Sequence, residues 1–294
     1  MSNKISIFTD SASELVGDLI PDNVKVVPLT VCIDERPQSE DLEKAEFYRM
    51  LENGHKVSTS AVNPDAFERA FRPELEKGND IFFAGIASSL SSTYANACIA
   101  KETLAGEFPD RVITVIDSRS VSWGEGQMML DIAKAGKAGA TMEELVAMTE
   151  DKDKYCHYFA ITDNMERMKD SGRFGVDVLR GISMLLRMTP LMHFSKKDAL
   201  SLVKLARTKK QMFEWFVGHV TKNYSADPQA GDKGTNEFVI AYGGRPDDKD
   251  KLVEMIPEEY RGTLLHGPQY RINPVIASHT GGAVLAVFYR GARV

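Results

Sequence analysis

Cysteine is scarce in this chain of 294 residues, with only Cys32, Cys98 and Cys156. Three thiols so widely spaced cannot build a disulfide framework, and no pair has the spacing of metal ligands. They read as small core residues in a reducing compartment. The chain also has no Gly-x-x-x-x-Gly-Lys-Ser/Thr loop to cradle a nucleotide's phosphates and no Gly-x-Ser-x-Gly elbow to expose a nucleophilic serine. No apolar stretch nears the roughly 18 residues of a membrane span. Met1-Ser2-Asn3-Lys4 runs straight into the apolar Ile5-Ser6-Ile7-Phe8, leaving no room for a signal peptide, so the expected location is the cytoplasm. Charge of one sign is not concentrated anywhere: 36 Lys and Arg stand against 42 Asp and Glu, a net of −6 spread along the chain. A general affinity for nucleic acid or for an acidic membrane is therefore not expected.

A hydrophobic fraction of 43% is enough for a full core, and the length suits two ordinary domains. Up to Asp153, apolar strands and helical stripes alternate, the signature of a mainly parallel sheet, and past it the pattern changes. We therefore expect an N-terminal domain over 1–153 and a C-terminal domain over 154–294.

The chain is organised around Ser88-Ser89-Leu90-Ser91-Ser92-Thr93-Tyr94, which follows Ile81-Phe82-Phe83-Ala84-Gly85-Ile86-Ala87 and precedes a helical pattern. The apolar run predicts a strand buried on both faces. The first backbone N–H groups of the following helix lack partners and point at the loop, where a carboxylate or phosphate is welcome. Ser91 or Ser92 capping the helix is the simpler use, but one cap needs one hydroxyl and this loop has several. A second cluster, Ser58-Thr59-Ser60, precedes Asn63 and Pro64, which are placed as cap and first-turn residue of another helix. Capping leaves the three hydroxyls unexplained.

Other strand ends carry similar residues. Thr9-Asp10-Ser11 follows the first strand, with Asp10 or Ser11 as a helix cap the competing reading. Leu15, Leu19 and Ile20 then predict a helix. Asp117-Ser118 closes Val112 to Ile116, and Thr141 with Glu144 predicts a capping box. In the second half, Arg173 on the glycine-flanked break Ser171-Gly172-Arg173-Phe174-Gly175 can reach an anion or simply be solvated. Val178 to Met188 predicts a buried helix. Near the C-terminus, Ile272 to Ala283 and Val284 to Tyr289 predict neighbouring strands with His279 and Thr280 at their turn. Of six histidines His279 is the best placed for function, and none has metal-ligand spacing, so no metal or cofactor is expected.

Together Thr9-Asp10-Ser11, Ser58-Thr59-Ser60 with Pro64, Leu90 to Tyr94, Val115 to Ser118, Gly172-Arg173 and Ile276 to Gly281 resemble the DegV family in order and approximate spacing. The resemblance spans essentially the whole chain. It implies an α/β fold of two domains, the N-terminal one on a parallel sheet and the C-terminal one on a mixed, largely antiparallel sheet. It also implies a bound long-chain fatty acid whose carboxylate is presented to a separate ATP-dependent fatty acid kinase subunit, without catalysis by this chain, for phospholipid synthesis. Carried over, Thr59 and Ser91 hydrogen-bond the carboxylate, and Ser60, Ser92 and Thr93 support the pocket. His279 and Arg207 lie near the head, and Arg173 lies beside its exposed side. Asp10, Ser11, Ser118 and Thr280 are further candidates. The chain departs from the family at Ser92 and Ser171, where glycine is usual, at Ala61-Val62 in place of Gln-Pro, at Thr189 in place of lysine, and at Gly282-Ala283 in place of Pro-Gly.

Two rivals remain at this point: a hydrolase or transferase using Ser91 with His279 and Asp10 or Asp117, and a binder of another small acidic metabolite.

Overall fold

The computed structural model describes residues 4–39, 42–150, 155–161, 172, 188–194, 200–223, 238–261 and 264–290. Arg173 and nearly all of the helix expected over 178–188 lie outside them. Two compact units emerge. The first comprises Met1–Cys32, Pro37–Glu40 and Thr59–Lys152, and the second Ile33–Arg36, Asp41–Ser58 and Asp153–Val294.

The first unit is built on β1 (Ile5–Asp10), β2 (Val24–Val27), β6 (Asp80–Gly85) and β7 (Ile113–Asp117), in the order β2-β1-β6-β7 and parallel throughout. All six residues of β6 are buried, as a strand covered on both faces requires. Between β2 and β6 lie β3 (Thr30–Ile33), β4 (Arg36–Pro37) and β5 (Val57–Ser60), a small sheet in the order β4-β3-β5. Pro28 and Leu29 divide what the sequence suggests is one long strand into β2 and β3.

Helix α1 (Lys44–Glu52) stops at Asn53-Gly54, with Gly54 at φ 84°. Helix α2 (Pro64–Glu76) starts as its sequence predicts, the Asn63 side chain accepting from Ala66 N at 2.8 Å with Pro64 in the first turn. Its Phe67 and Phe71 meet Phe83 and Phe8 of the sheet, with ring centroids 5.0 and 4.9 Å apart. Helices α3 (Thr93–Glu107), α4 (Trp123–Lys137) and α5 (Met142–Glu150) complete the unit. The capping box before α5 is reciprocal: Thr141 N donates to Glu144 Oε2 and Glu144 N donates to Thr141 Oγ1.

The helix expected through Leu15, Leu19 and Ile20 is absent. Two single turns of 3₁₀ helix, Ser11–Ser13 and Gly17–Leu19, stand there. Glu14 at φ 63° and Gly17 at φ 55° are left-handed, and neither conformation can continue a right-handed helix.

The second unit holds β8 (Tyr155–Ile161), β9 (Thr189–Phe194), β10 (Leu200–Ala206), β11 (Phe238–Tyr242), β12 (Leu264–Leu265) and β13 (Val284–Arg290), in the order β10-β9-β8-β13-β11-β12. Every pair is antiparallel except β11 with β12. Met212, Phe213 and Phe216 of α6 (Lys209–Asn223) pack with Leu252 of α7 (Pro246–Met255) over Ile240 and Val287 of the sheet. A four-residue α8 (Glu258–Arg261) follows. Helix α1 belongs here through Tyr48, whose hydroxyl donates to Ile272 O at 3.1 Å and whose ring lies 4.1 Å under the Arg271 guanidinium.

The strand expected before Val284 is instead α9 (Pro274–Thr280). Asn273 accepts from Ile276 N at 3.1 Å and Pro274 occupies the first turn, the same start signal as Asn63-Pro64. Gly281 at φ 80° ends the helix. His279 thus sits in a last helical turn, not at a hairpin.

Candidate functional site

In a parallel sheet of this kind, ligands gather beyond the carboxyl ends of the strands. β6 leaves the sheet between β1 and β7, and the loop that follows it carries the hydroxyls. Its geometry is set by the acids that end the flanking strands. Asp10 of β1 accepts from Ile86 N at 2.8 Å through Oδ2 and from Ala12 N at 2.8 Å through Oδ1. Asp117 of β7 accepts from Ser88 N at 3.2 Å and Arg119 N at 2.8 Å. The loop is pinned from both sides.

Held in this way, Ser91 and Thr93 form a pair. Their hydroxyls are 2.9 Å apart, and Thr93 N donates to Ser91 Oγ at 3.2 Å. Ser91 therefore provides the side-chain cap of α3, while Ser92 is exposed and makes no side-chain cap bond. Thr93 is fully buried and Ser91 half-buried, so the inner hydroxyl fixes the outer one. The first-turn N–H groups of α3 open at the same spot.

The second cluster is tied to this helix. Asn96 Nδ2 donates to Val62 O at 2.7 Å, which anchors the segment following β5 to the first turn of α3. Thr59 is half-buried and Ser60 exposed at the end of β5.

The remaining candidates are placed as follows. Ser11 Oγ accepts from Leu29 N at 2.9 Å. Ser118 is buried, accepting from Ser120 N and donating to Ser120 O within its own turn. In the second unit, Thr280 donates to Ile276 O at 3.2 Å along α9, and His279 is half-buried beside it. Arg207 is exposed just beyond β10, and its backbone N–H donates to Gln211 Oε1 at 2.9 Å. Gln211 N donates to Thr208 Oγ1 at 3.2 Å, so Thr208 caps the start of α6 while the Gln211 side chain reaches back to the residue before the cap.

The sequence reading missed a buried acidic neighbourhood behind the loop. Glu125, in the first turn of α4, is fully buried, and Thr9 Oγ1 donates to its Oε1 at 3.1 Å. Its Oε2 has no hydrogen-bond partner among the described residues. Glu14 is buried as well and accepts from Ser122 Oγ at 3.0 Å. Burial, reinforced by the charge of Asp10, pushes the Glu125 carboxyl well above the usual range. Burial also raises Asp10, to about 6, against the lowering effect of its two N–H donors. No local signal marks Glu125, which lies 116 residues from Thr9 along the chain.

Ser91 Oγ bonds to Thr93, and Asp10 is engaged by two backbone N–H groups, which gives no support to a triad running through these two residues. Among the described residues no group of acids, histidines and cysteines could hold a metal ion, and no helix is long and apolar enough to cross a membrane.

A parallel α/β unit with hydroxyls clustered at its strand ends, followed by a unit on a largely antiparallel sheet, defines a two-domain α/β class of protein. Within that class the chain belongs to the DegV family: residues 4–291 match the profile described as "uncharacterised protein, DegV family". A DegV domain-containing protein of Clostridium perfringens is 30% identical over 296 residues, covering 98% of each chain. Among solved structures, a fatty acid-binding DegV family protein from Thermus thermophilus superposes with a TM-score of 0.79 at 26% identity, covering 98% of this chain and 99% of that one. The fatty acid kinase (Fak) B3 protein of Streptococcus pneumoniae, loaded with linoleic acid, shares the fold with a TM-score of 0.79 at 20% identity over 99% of both chains.

Proposed function

We propose that this chain binds a long-chain fatty acid and presents its carboxylate to a separate ATP-dependent kinase subunit, without being a catalyst itself. The observation that carries this reading is the Ser91–Thr93 hydroxyl pair, fixed at the N-terminus of α3 in a loop clamped from two strands. A carboxylate leaving water needs several donors, and hydroxyls with helix N–H groups supply them without requiring a cation. Family membership and the fatty acid bound by the Thermus thermophilus relative support the same ligand class. Each buried methylene of a tail adds roughly 0.8 kcal/mol before the costs of association, so a long chain can dominate affinity.

In this reading Thr59 and Ser91 contact the carboxylate, and Ser60, Ser92 and Thr93 support the pocket. The family resemblance assigns His279, Thr280 and Arg207 to the head group and Arg173 to its exposed side, the one that meets the kinase. Asp10, Ser11 and Ser118 remain further candidates, and each also holds a loop through backbone hydrogen bonds. The kinase then transfers the γ-phosphoryl group of ATP to the carboxylate oxygen, releasing ADP and leaving an acyl phosphate for phospholipid synthesis. The expected location of the chain is the cytoplasm.

The test is a fatty acid binding titration with variants. Ser91→Ala and Thr59→Ala each lower affinity by about tenfold, the usual worth of a hydrogen bond to a charged group. Arg173→Ala leaves binding intact and reduces phosphorylation by the kinase subunit. Undiminished affinity in both hydroxyl variants would overturn the assignment of the site.

A further inference from the structure

The loop that carries the Ser91–Thr93 pair is held by Asp10. Both oxygens of Asp10 accept from backbone N–H groups, one of them Ile86, the first residue beyond β6. The carboxyl is fully buried and lies close against Gly85, where an added Cβ would come within 2.5 Å of Asp10 Oδ2. No cation among the described residues pairs with it. Its charge acts on Glu125 of α4, which also feels Glu14 beyond β1 and Asp117 at the end of β7, all of them acids. An ionised carboxylate can accept from both N–H groups at once. A proton turns one oxygen into a donor and weakens one of those bonds.

We propose that Asp10 is the positioning residue of the hydroxyl loop, and that a single proton on its carboxyl releases Ile86 and loosens the head-group site in mildly acidic solution. This rests on reading the Ser91–Thr93 pair as the carboxylate site. Burial places the Asp10 carboxyl at about 6, inside the range a cell or a buffer can cross. Glu125 is the neighbouring buried acid and is raised by the same burial, so variants at both positions separate the two carboxyls. The clamp then acts as a proton-linked control of ligand retention.

The experiment follows the backbone amides of Ile86, Ser91 and Thr93 by NMR in the ligand-free protein, from about pH 8 to about pH 5. The three shift together around pH 6 in the wild type and in Glu125→Gln, and Asp10→Asn shows no such transition. If Ile86 does not titrate, or titrates equally in Asp10→Asn, the proposal fails. It also fails if Glu125→Gln abolishes the transition, since the proton would then sit on Glu125. Should Asp10→Asn not fold, the carboxyl carbon resonance of Asp10 in labelled wild type decides the same point.

Binding of a long-chain alkyl sulfonate, whose head stays ionised throughout, is measured alongside. Its affinity falls about tenfold across the transition in the wild type, the loss of one hydrogen bond to a charged group. Constant affinity despite titrating amides would overturn the link to the site. Titrating amides with no sulfonate or palmitate binding at any pH would sink the proposed function and leave the loop clamp standing.

Discussion

Glu74 and Asp10 are buried carboxylates at opposite ends of one parallel sheet, and they are neutralised differently. Near the amino ends of β1 and β6, Glu74 receives Lys25 Nζ at 2.5 Å, Lys77 Nζ at 2.7 Å, Ser6 Oγ at 2.6 Å and Asn79 Nδ2 at 3.0 Å. The two lysines, then the serine, hold its carboxyl well below the ordinary range. At the carboxyl end, Asp10 has only backbone N–H donors, and Glu125 has one hydroxyl. The lower end is built for stability at any ordinary pH. The upper end carries buried acids with no cation beside them among the described residues, which costs stability. Expensive polar arrangements at a sheet's ligand-binding end are where function is to be sought.

The contrast can be broken at either end. The largest effect is expected in pH dependence. The Asp10 carboxyl rises from 3.8 to about 6 on folding, so the folded state holds that proton more tightly than the unfolded chain. Its ionisation therefore imposes a penalty that is absent below 3.8 and complete above about 6, worth roughly 3 kcal/mol. Asp10→Asn should gain on the wild type by up to that amount between about pH 4 and pH 7, as read by thermal unfolding at each pH. A difference independent of pH would show that Asp10 does not carry the proton.

Gly85→Ala forces a methyl to within 2.5 Å of Asp10 Oδ2 and 2.4 Å of the Phe83 ring, and should cost about 2 kcal/mol. It should also displace the Ile86 amide resonance, which a substitution at the lower end would leave in place. Glu74→Gln should cost about 1.5 kcal/mol at neutral pH, from weakened bonds to charged partners. Here the sign is opposite: Glu74's contribution is present above its ordinary value of 4.5 and fades in acid, so variant and wild type converge as pH falls. Smallest is the stability effect of Ser91→Ala, about 1 kcal/mol through loss of the α3 cap, against a larger loss of ligand affinity. Equal losses in both would reduce Ser91 to a cap.

Local signals were legible and long-range ones were not. Asn63-Pro64, Thr141 with Glu144 and the Gly54 stop each act within one helical turn, and each reads directly from the chain. Asn273-Pro274 carries the same helix-start signal, but Val275, Ile276 and Ala277 make an apolar run that also suits a strand, and periodicity cannot separate the two at that length. Leu15, Leu19 and Ile20 have helical spacing, yet two left-handed residues break the chain among them. The Ser91 loop was identifiable because its hydroxyls adjoin in sequence. What holds it was not, since Asp10 reaches a residue 76 positions away and Thr9 an acid 116 positions away. Nor does any local pattern announce that Asp41–Ser58 joins the second unit, which depends on Tyr48 meeting Ile272 and Arg271.

The central claim is tested most directly by mass spectrometry of an organic extract of the purified protein, with a non-denaturing spectrum alongside to count bound molecules. The account predicts one long-chain fatty acid per chain, with occupancy reduced in Ser91→Ala. A protein that comes out empty and also fails to take up added fatty acid would contradict it.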